Sequence, residues 1–145
     1  MAAASVAVGV GSEWLVEQAT QKDHLQRAGT PMEWLFVTTV ARLGTQAVSF
    51  VTADLIGYVV RSDGTSGDPA DRGQILALSA ACPHQGCLVQ WTGATRTFRC
   101  PCHEAVFTQD GETDARASAW RSLKPLPRLE VKIETDGKIY VRIPK

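Results

Sequence analysis

The chain has 145 residues, of which 44% are hydrophobic, and this suits one globular domain with an ordinary core. Fifteen basic residues balance 15 acidic residues, so the composition does not favour a nucleic-acid partner or an acidic substrate. It contains no apolar run of about eighteen residues or more, and we therefore expect no membrane-spanning segment within it.

The first part of the chain, residues 1–30, predicts a helical segment or hinge that precedes the main domain. Ser12 is a suitable N-cap residue, and a glycine and a proline end the predicted helix after Ala28. The run Met1–Val10 is apolar but short, with no basic flank. Its composition is typical of the end of a hydrophobic segment or of a hinge, which favours a membrane anchor before it over a naturally soluble form.

Residues 31–145 predict an all-β domain of short antiparallel strands, because β-branched and aromatic runs alternate with turn residues. Asp136-Gly137 predicts a type I′ turn between the last two strands, and Ser62–Gly73 predicts a surface loop. The predicted strands are Trp34–Val40, Ala47–Val51, Leu55–Arg61, Ile75–Ser79, Leu88–Trp91, Thr97–Arg99, Ala105–Thr108, Leu129–Glu134 and Lys138–Arg142.

Two short segments hold all four cysteines and two of the three histidines of the chain. Cys82-x-His84 and Cys100-x-x-His103 each offer one sulfur and one nitrogen, and 15 residues separate His84 from Cys100. That separation allows one strand out and one back, which would make the two loops face each other. The pattern predicts a metal centre, either a zinc ion or a [2Fe-2S] cluster with unlike irons. Cys-x-His is tighter than the common zinc spacing, which favours the cluster.

This double motif resembles the Rieske [2Fe-2S] family, and the resemblance extends over roughly residues 75–145. It implies an antiparallel Rieske-type fold in which two loops form a small cluster-binding subdomain at about residues 80–125. It also implies the ligands of one [2Fe-2S] cluster, with Cys82 and Cys100 on one iron and His84 and His103 on the other.

The two remaining cysteines indicate a branch of that family. In Rieske proteins of the cytochrome bc type, cysteines at the positions of Cys87 and Cys102 form a disulfide between the two cluster loops. Such a bridge would close a loop of about sixteen residues and stabilise the fold by about 3 kcal/mol in the chain-entropy model. It also implies maturation in an oxidising compartment, so we expect an exported or periplasmic location, or the outer face of the cytoplasmic membrane.

The chain departs from the bc-type pattern directly after the second motif. Those proteins usually continue with Gly-Ser-x-Tyr, and the two hydroxyls donate hydrogen bonds to sulfur atoms of the cluster and of a ligand. Here Glu104, Ala105 and Phe107 stand at the glycine, serine and tyrosine positions. Losing two donors that stabilise the reduced state predicts a lowered reduction potential.

Other residues expected around the cluster also differ from the family pattern. Gln85, beside Gly86, replaces a frequent leucine and makes the tip of the first loop more polar. The family's Gly-Pro-Ala-Pro loop is missing, and Trp120 stands near its position. We interpret Trp120 as a core aromatic residue in preference to a shield of the cluster.

The resemblance implies electron transfer, in the soluble domain of a quinol–cytochrome c oxidoreductase iron–sulfur subunit that uses a low-potential quinol such as menaquinol. The expected partners are the quinol site of a cytochrome b-type subunit and a c-type cytochrome. The chain would act as an electron-transfer subunit of an oxidoreductase, not as an enzyme by itself. The alternatives are a Rieske subunit or stand-alone carrier of another oxidoreductase, of the arsenite-oxidase kind, and a zinc-stapled binding module.

Overall fold

The computed structural model describes residues 31–120 and 122–145, so the helix predicted for residues 12–28 lies outside the described part. Ten strands form three sheets there, and every strand pairing is antiparallel, as predicted. A helix of four residues, α1 (Val40–Leu43), and a 3-10 turn at Pro69–Asp71 complete the described elements. The strands are β1 (Met32–Thr39), β2 (Val48–Val51), β3 (Ile56–Arg61), β4 (Ile75–Ser79), β5 (Gln90–Thr92), β6 (Thr97–Arg99), β7 (Val106–Phe107), β8 (Arg128–Leu129), β9 (Val131–Ile133) and β10 (Lys138–Pro144).

The sheet β2-β3-β4-β8 separates two hydrophobic cores. Successive side chains of a strand point to opposite faces, and in β3 both faces are buried. Val59 belongs to the core that contains Ile139 of the sheet β1-β10-β9. Its neighbour Val60 belongs to the core that contains Phe98 of the sheet β5-β6-β7. The third sheet, which carries the metal-binding loops, is therefore packed on the body of the domain.

The hairpin β9–β10 forms as predicted, but its turn is not of type I′. Gly137 has a φ of 82°, whereas Asp136 does not adopt positive φ, and a type I′ turn requires positive φ at both central residues. The Gly137 N–H donates to the Glu134 carbonyl at 2.9 Å, and the Glu134 N–H donates to the Lys138 carbonyl at 3.0 Å. These bonds define a three-residue loop, a type I turn followed by a glycine bulge.

The hairpin β5–β6 also forms, with its turn shifted along the chain. The predicted turn at Thr92–Ala94 becomes a loop at 93–96, because β5 continues through Thr92. Arg96 has a φ of 52°, which is unusual for a residue other than glycine. Its Nε donates to the buried Gln109 side chain at 2.7 Å, and this contact helps to hold the conformation.

The surface loop predicted at Ser62–Gly73 is tied to the domain by one buried carboxylate. Asp110, which is 1% exposed, accepts hydrogen bonds from the Ser62 hydroxyl at 2.7 Å, the Asp63 N–H at 3.2 Å and the Ser66 N–H at 3.0 Å. Asp110 follows β7, so the same carboxylate fixes the chain that leaves the metal-binding subdomain.

The burial of Asp110 and its three donors predict the effect of removing the carboxylate. Asp110→Ala should lower the free energy of unfolding by about 2 to 3 kcal/mol, because it leaves several donors without an acceptor in a buried place. Urea unfolding of the metal-loaded protein would measure the loss. Asp68→Ala is the matched control, since the exposed Asp68 carboxylate accepts one hydrogen bond, from the Ala70 N–H at 2.9 Å. We expect about 1 kcal/mol or less for the control, and equal losses in both variants would contradict the role of Asp110.

Candidate metal centre

The first metal-binding loop is closed by its own backbone. The Cys82 N–H donates to the Cys87 carbonyl and the Gly86 N–H donates to the Cys82 carbonyl, both at 2.8 Å. Gly86 has a φ of 77°, a conformation that glycine adopts without steric cost. The closure leaves Cys82 buried, His84 half-buried and Gln85 exposed.

The second metal-binding loop is shorter and contains an unusual backbone conformation. The Cys100 N–H donates to the Ala105 carbonyl at 2.8 Å, so the chain reverses direction across four residues. Glu104 has a φ of 55°, in the left-handed region that glycine adopts most readily. Cys100 is buried and His103 is half-buried. Ala105 and Phe107 are 1% and 0% exposed. A serine or tyrosine placed at these positions would therefore have a buried side chain.

A disulfide joins the two loops, as the resemblance implied. The sulfur atoms of Cys87 and Cys102 are bonded at 2.08 Å, and their Cα atoms are 6.5 Å apart. The sulfur of Cys100 lies within 4.8 Å of both. Because Cys87 and Cys102 are bonded to each other, they are not available as metal ligands. Cys82 and Cys100 remain as buried free thiols.

The remaining donor atoms converge from the two loops. The Nδ1 atoms of His84 and His103 are 3.3 Å apart, and the two rings are nearly perpendicular at 83° with centroids 4.7 Å apart. Burial raises the pKa of the Cys82 thiol and the neighbouring Cys100 thiol raises it further, while the N–H groups of His84 and Gln85 lower it. Two sulfurs on the buried side and two nitrogens on the outer side are the donors that a Rieske-type [2Fe-2S] cluster requires.

Trp120 is not a core residue, and the interpretation made from the sequence is wrong. Its side chain is 38% exposed, and its ring lies 4.4 Å from the His84 ring at an interplanar angle of 38°. The His103 ring is 6.2 Å away and perpendicular, at 89°. The Trp120 indole N–H donates to the His103 carbonyl at 2.8 Å. Trp120 therefore covers His84 from outside and contacts both loops.

Two turns after β7 bring Trp120 to this position. The Asp114 N–H donates to the Val106 carbonyl at 2.9 Å, which keeps the segment beside β7. The Ser118 N–H donates to the Asp114 carbonyl at 2.8 Å, and the Ser118 hydroxyl accepts the Trp120 N–H at 3.0 Å. Serine and aspartate side chains commonly form such turns, so Asp114 and Ser118 were the available sequence signals for this contact.

An open cleft of about 580 Å³ lies beside His103. Its walls are Pro101, Cys102, His103, Glu104, Ala119 and Trp120. His84 is not among the residues that line it. A second depression, of about 620 Å³, lies near Cys100 and its walls contain no histidine. The cleft beside His103 is therefore the depression through which an external molecule would reach a candidate histidine ligand.

Comparison with known proteins identifies the family. Residues 33–127 match the family model of the Rieske [2Fe-2S] domain. The cytochrome b6-f complex iron-sulfur subunit of Chlorobaculum tepidum is 49% identical over 71 residues, which cover 49% of this chain and 36% of that protein. The menaquinol:cytochrome c reductase iron-sulfur subunit of Geobacillus thermodenitrificans is 36% identical over 74 residues, which cover 49% of this chain and 41% of that protein. The chain thus spans less than half the length of these curated relatives.

Two solved structures have a fold similar to that of this chain. The plasma membrane Rieske protein PetC3 from Synechocystis PCC 6803 matches with a TM-score of 0.55 at 29% identity, over 74% of this chain and 97% of that one. Naphthalene 1,2-dioxygenase matches with a TM-score of 0.58 at 20% identity, over 84% of this chain and 28% of that one, and this likeness shows the fold alone. The family model covers more than half of the chain, and its cofactor, one [2Fe-2S] cluster, agrees with the donor set. The chain belongs to the Rieske [2Fe-2S] domain family.

Proposed function

We propose that this chain is the electron-transfer domain of the iron–sulfur subunit of a quinol–cytochrome c oxidoreductase. The observation that carries the proposal is the pair of loops that present two buried thiols and two facing imidazole Nδ1 atoms, joined by the Cys87–Cys102 disulfide. The disulfide supports the bc-type branch, and the names of the two curated relatives support the same class of complex.

The proposed ligands are the four donors on the two loops. Cys82 and Cys100 would hold the buried iron, and His84 and His103 would hold the outer one. When bound, such a cluster takes up and releases one electron at a time. The two thiols belong to the same hydrophobic core as Phe98 and Val89, which keeps water from the sulfur side.

The surroundings of the two histidines differ, and this difference suggests separate roles. His103 lines the open cleft, whereas the Trp120 ring covers His84. Since the Nδ1 atoms face each other, Nε2 is the ring atom left to accept a proton from a hydroxyl in the cleft. We therefore propose that a quinol hydroxyl donates to Nε2 of His103.

The proposed partners follow from the same assignment. The electron donor would be a low-potential quinol such as menaquinol, at the quinol site of a cytochrome b-type subunit, and the acceptor would be a c-type cytochrome. The disulfide favours an oxidising compartment, and we propose the outer side of the cytoplasmic membrane. We further propose that residues 31–145 form the Rieske domain. In the described part of the chain, no helix has the length and apolar character needed to cross a bilayer.

Purification of the affinity-tagged full-length protein from its own cells, in mild detergent, tests the partner assignment. Haem b and c-type haem in stoichiometric amounts, with no molybdenum by elemental analysis, would support the quinol–cytochrome c reading. Molybdenum without haem b would instead assign the chain to an oxidoreductase of the arsenite-oxidase kind.

The ligand assignment predicts complete loss of the cluster in two variants. His84→Ala and Cys100→Ser should each give colourless protein with little iron, because each removes one of the four ligands that the irons require. Iron analysis, visible absorption and the reduced-state EPR signal would measure this. Gln85→Ala is the matched control, since Gln85 is the exposed neighbour of His84 and should keep full iron content. Retention of the EPR signal in either ligand variant would reject the assignment.

The disulfide should be separable from metal binding. We expect the double variant Cys87→Ala/Cys102→Ala to assemble a cluster but to lose about 3 kcal/mol of stability, because the bridge spans a sequence separation of 15 residues. Urea unfolding of the metal-loaded protein, followed by visible absorption, would measure the difference. An unchanged unfolding midpoint would show that the bridge contributes nothing to stability.

Adding a hydroxyl at position 105 or 107 should raise the reduction potential. We expect a wild-type reduction potential of about +100 mV. Ala105→Ser and Phe107→Tyr should each raise it by about 45 to 65 mV if the new hydroxyl donates to sulfur, because that bond stabilises the reduced state. Protein-film voltammetry measures all three values.

Val106→Thr supplies the matched control for the potential. Val106 is 2% exposed and lies between the two substituted positions, and its side chain points to the opposite face. Its added hydroxyl should leave the potential unchanged. A wild-type value near +300 mV, or equal shifts in all variants, would show that another feature sets the potential.

A further inference from the structure

We infer that Trp120 is a positioning residue of the metal centre, which orients the His84 ring by stacking and fixes the second loop through the His103 carbonyl. This inference rests on the proposed assignment of His84 and His103 as ligands. The residue does not itself bind metal: its indole ring and its N–H group act on the two loops at separate points, 4.4 Å from the His84 ring centroid and 2.8 Å from the His103 oxygen.

The need for such a residue follows from the hydrogen bonding of the histidines. A ligating histidine usually donates its second ring N–H to a protein acceptor, which sets the orientation of the ring. Among the described residues, the hydrogen bond found for either imidazole is the Nδ1–Nδ1 contact between them, and Nε2 of His84 has no protein acceptor there. Besides the edge of the His103 ring, whose centroid is 4.7 Å away, the stacked Trp120 ring is the aromatic contact that can hold the His84 ring at a fixed angle.

Trp120 is itself held firmly enough to serve this purpose. Its backbone N–H donates a hydrogen bond to the Ser118 hydroxyl. The Ser118 N–H in turn donates to the Asp114 carbonyl, and the Asp114 N–H donates to the carbonyl of Val106 in β7. The indole is therefore connected to the rigid sheet on one side and to the second loop on the other. Truncation of Trp120 to alanine would remove both the ring contact with His84 and the hydrogen bond to the His103 carbonyl.

Two substitutions separate the contributions of the ring and the N–H group. Trp120→Phe keeps a ring over His84 and removes the donor, whereas Trp120→Ala removes both. The readouts are the g values and line width of the reduced-state EPR signal and the rate at which the loaded protein loses its visible absorption on warming. We expect shifted, broadened EPR features and about tenfold faster loss in Trp120→Ala. Trp120→Phe should keep wild-type g values with about threefold faster loss.

Trp91 provides the matched control. It lies in the same subdomain, its ring is 4.9 Å from Phe98, and its indole N–H donates to the Gln46 side chain at 3.0 Å. Trp91→Ala and Trp91→Phe should change the unfolding midpoint without changing the g values, because no histidine contact of Trp91 is found among the described residues. Rescue of the g values by phenylalanine at position 120 is a result that loosening of the fold alone would not produce.

The outcomes separate this inference from the assignment of the ligands. Wild-type g values in Trp120→Ala, or the same shift in Trp91→Ala, would overturn the positioning role while leaving the ligands intact. If Trp120→Ala takes up no iron, Trp120→Phe decides: a restored wild-type signal supports the role and a missing one overturns it. Retention of the cluster in His84→Ala would instead refute the ligand assignment itself.

Discussion

The metal centre depends on holding two loops at a fixed separation, and the Cys87–Cys102 bond imposes that separation covalently. Each loop is closed by its own backbone hydrogen bonds, at Cys82 and at Cys100, so each is a preformed turn. The disulfide then joins two such turns instead of two flexible segments. Without this bond, the two loops would be held together by weaker contacts such as those of Trp120, and metal binding would have to offset more of the conformational entropy cost.

Ala105 and Phe107 occupy positions where a side-chain hydroxyl could be added with little change in packing. Ala105 and Phe107 are buried in the core that also contains both free thiols. Phenylalanine fills nearly the same volume as tyrosine, and alanine nearly the same volume as serine, so packing is conserved while the donors are lost. A hydroxyl added at either position would therefore leave the hydrophobic packing nearly unchanged.

The features that were predicted from the sequence are those set by local chemistry. The motif Cys82-x-His84 indicates a ligand pair because of its residue types, and β-branched runs such as that of β3 indicate strands wherever the rest of the chain lies. The turn at Gly137 was assigned to the wrong type because an Asp-Gly pair fits both a type I′ turn and a type I turn followed by a glycine bulge. The structure adds a non-local bond there, from the Val40 N–H to the Gly137 carbonyl at 2.8 Å.

The remaining site features depend on contacts that no local pattern encodes. Trp120 reaches His84 after two turns made by Asp114 and Ser118; these residues signal the turns, but they do not identify the ring that Trp120 contacts. The left-handed conformation of Glu104 was not predicted, because glutamate gives no local signal for it. The anchoring of the 62–73 loop by Asp110 joins segments more than forty residues apart.

Because both faces of β3 and β4 are buried, the metal-binding subdomain depends on the body of the domain. Phe98 and Phe107 share one core with Val60, Leu76 and Leu78, which belong to the body of the domain. An excised peptide that carried both loops would expose these aromatic rings to water and would lack the surface against which they pack. The loops therefore cannot be grafted alone onto an unrelated protein. Any exchange of this centre between proteins must carry the supporting strands with it.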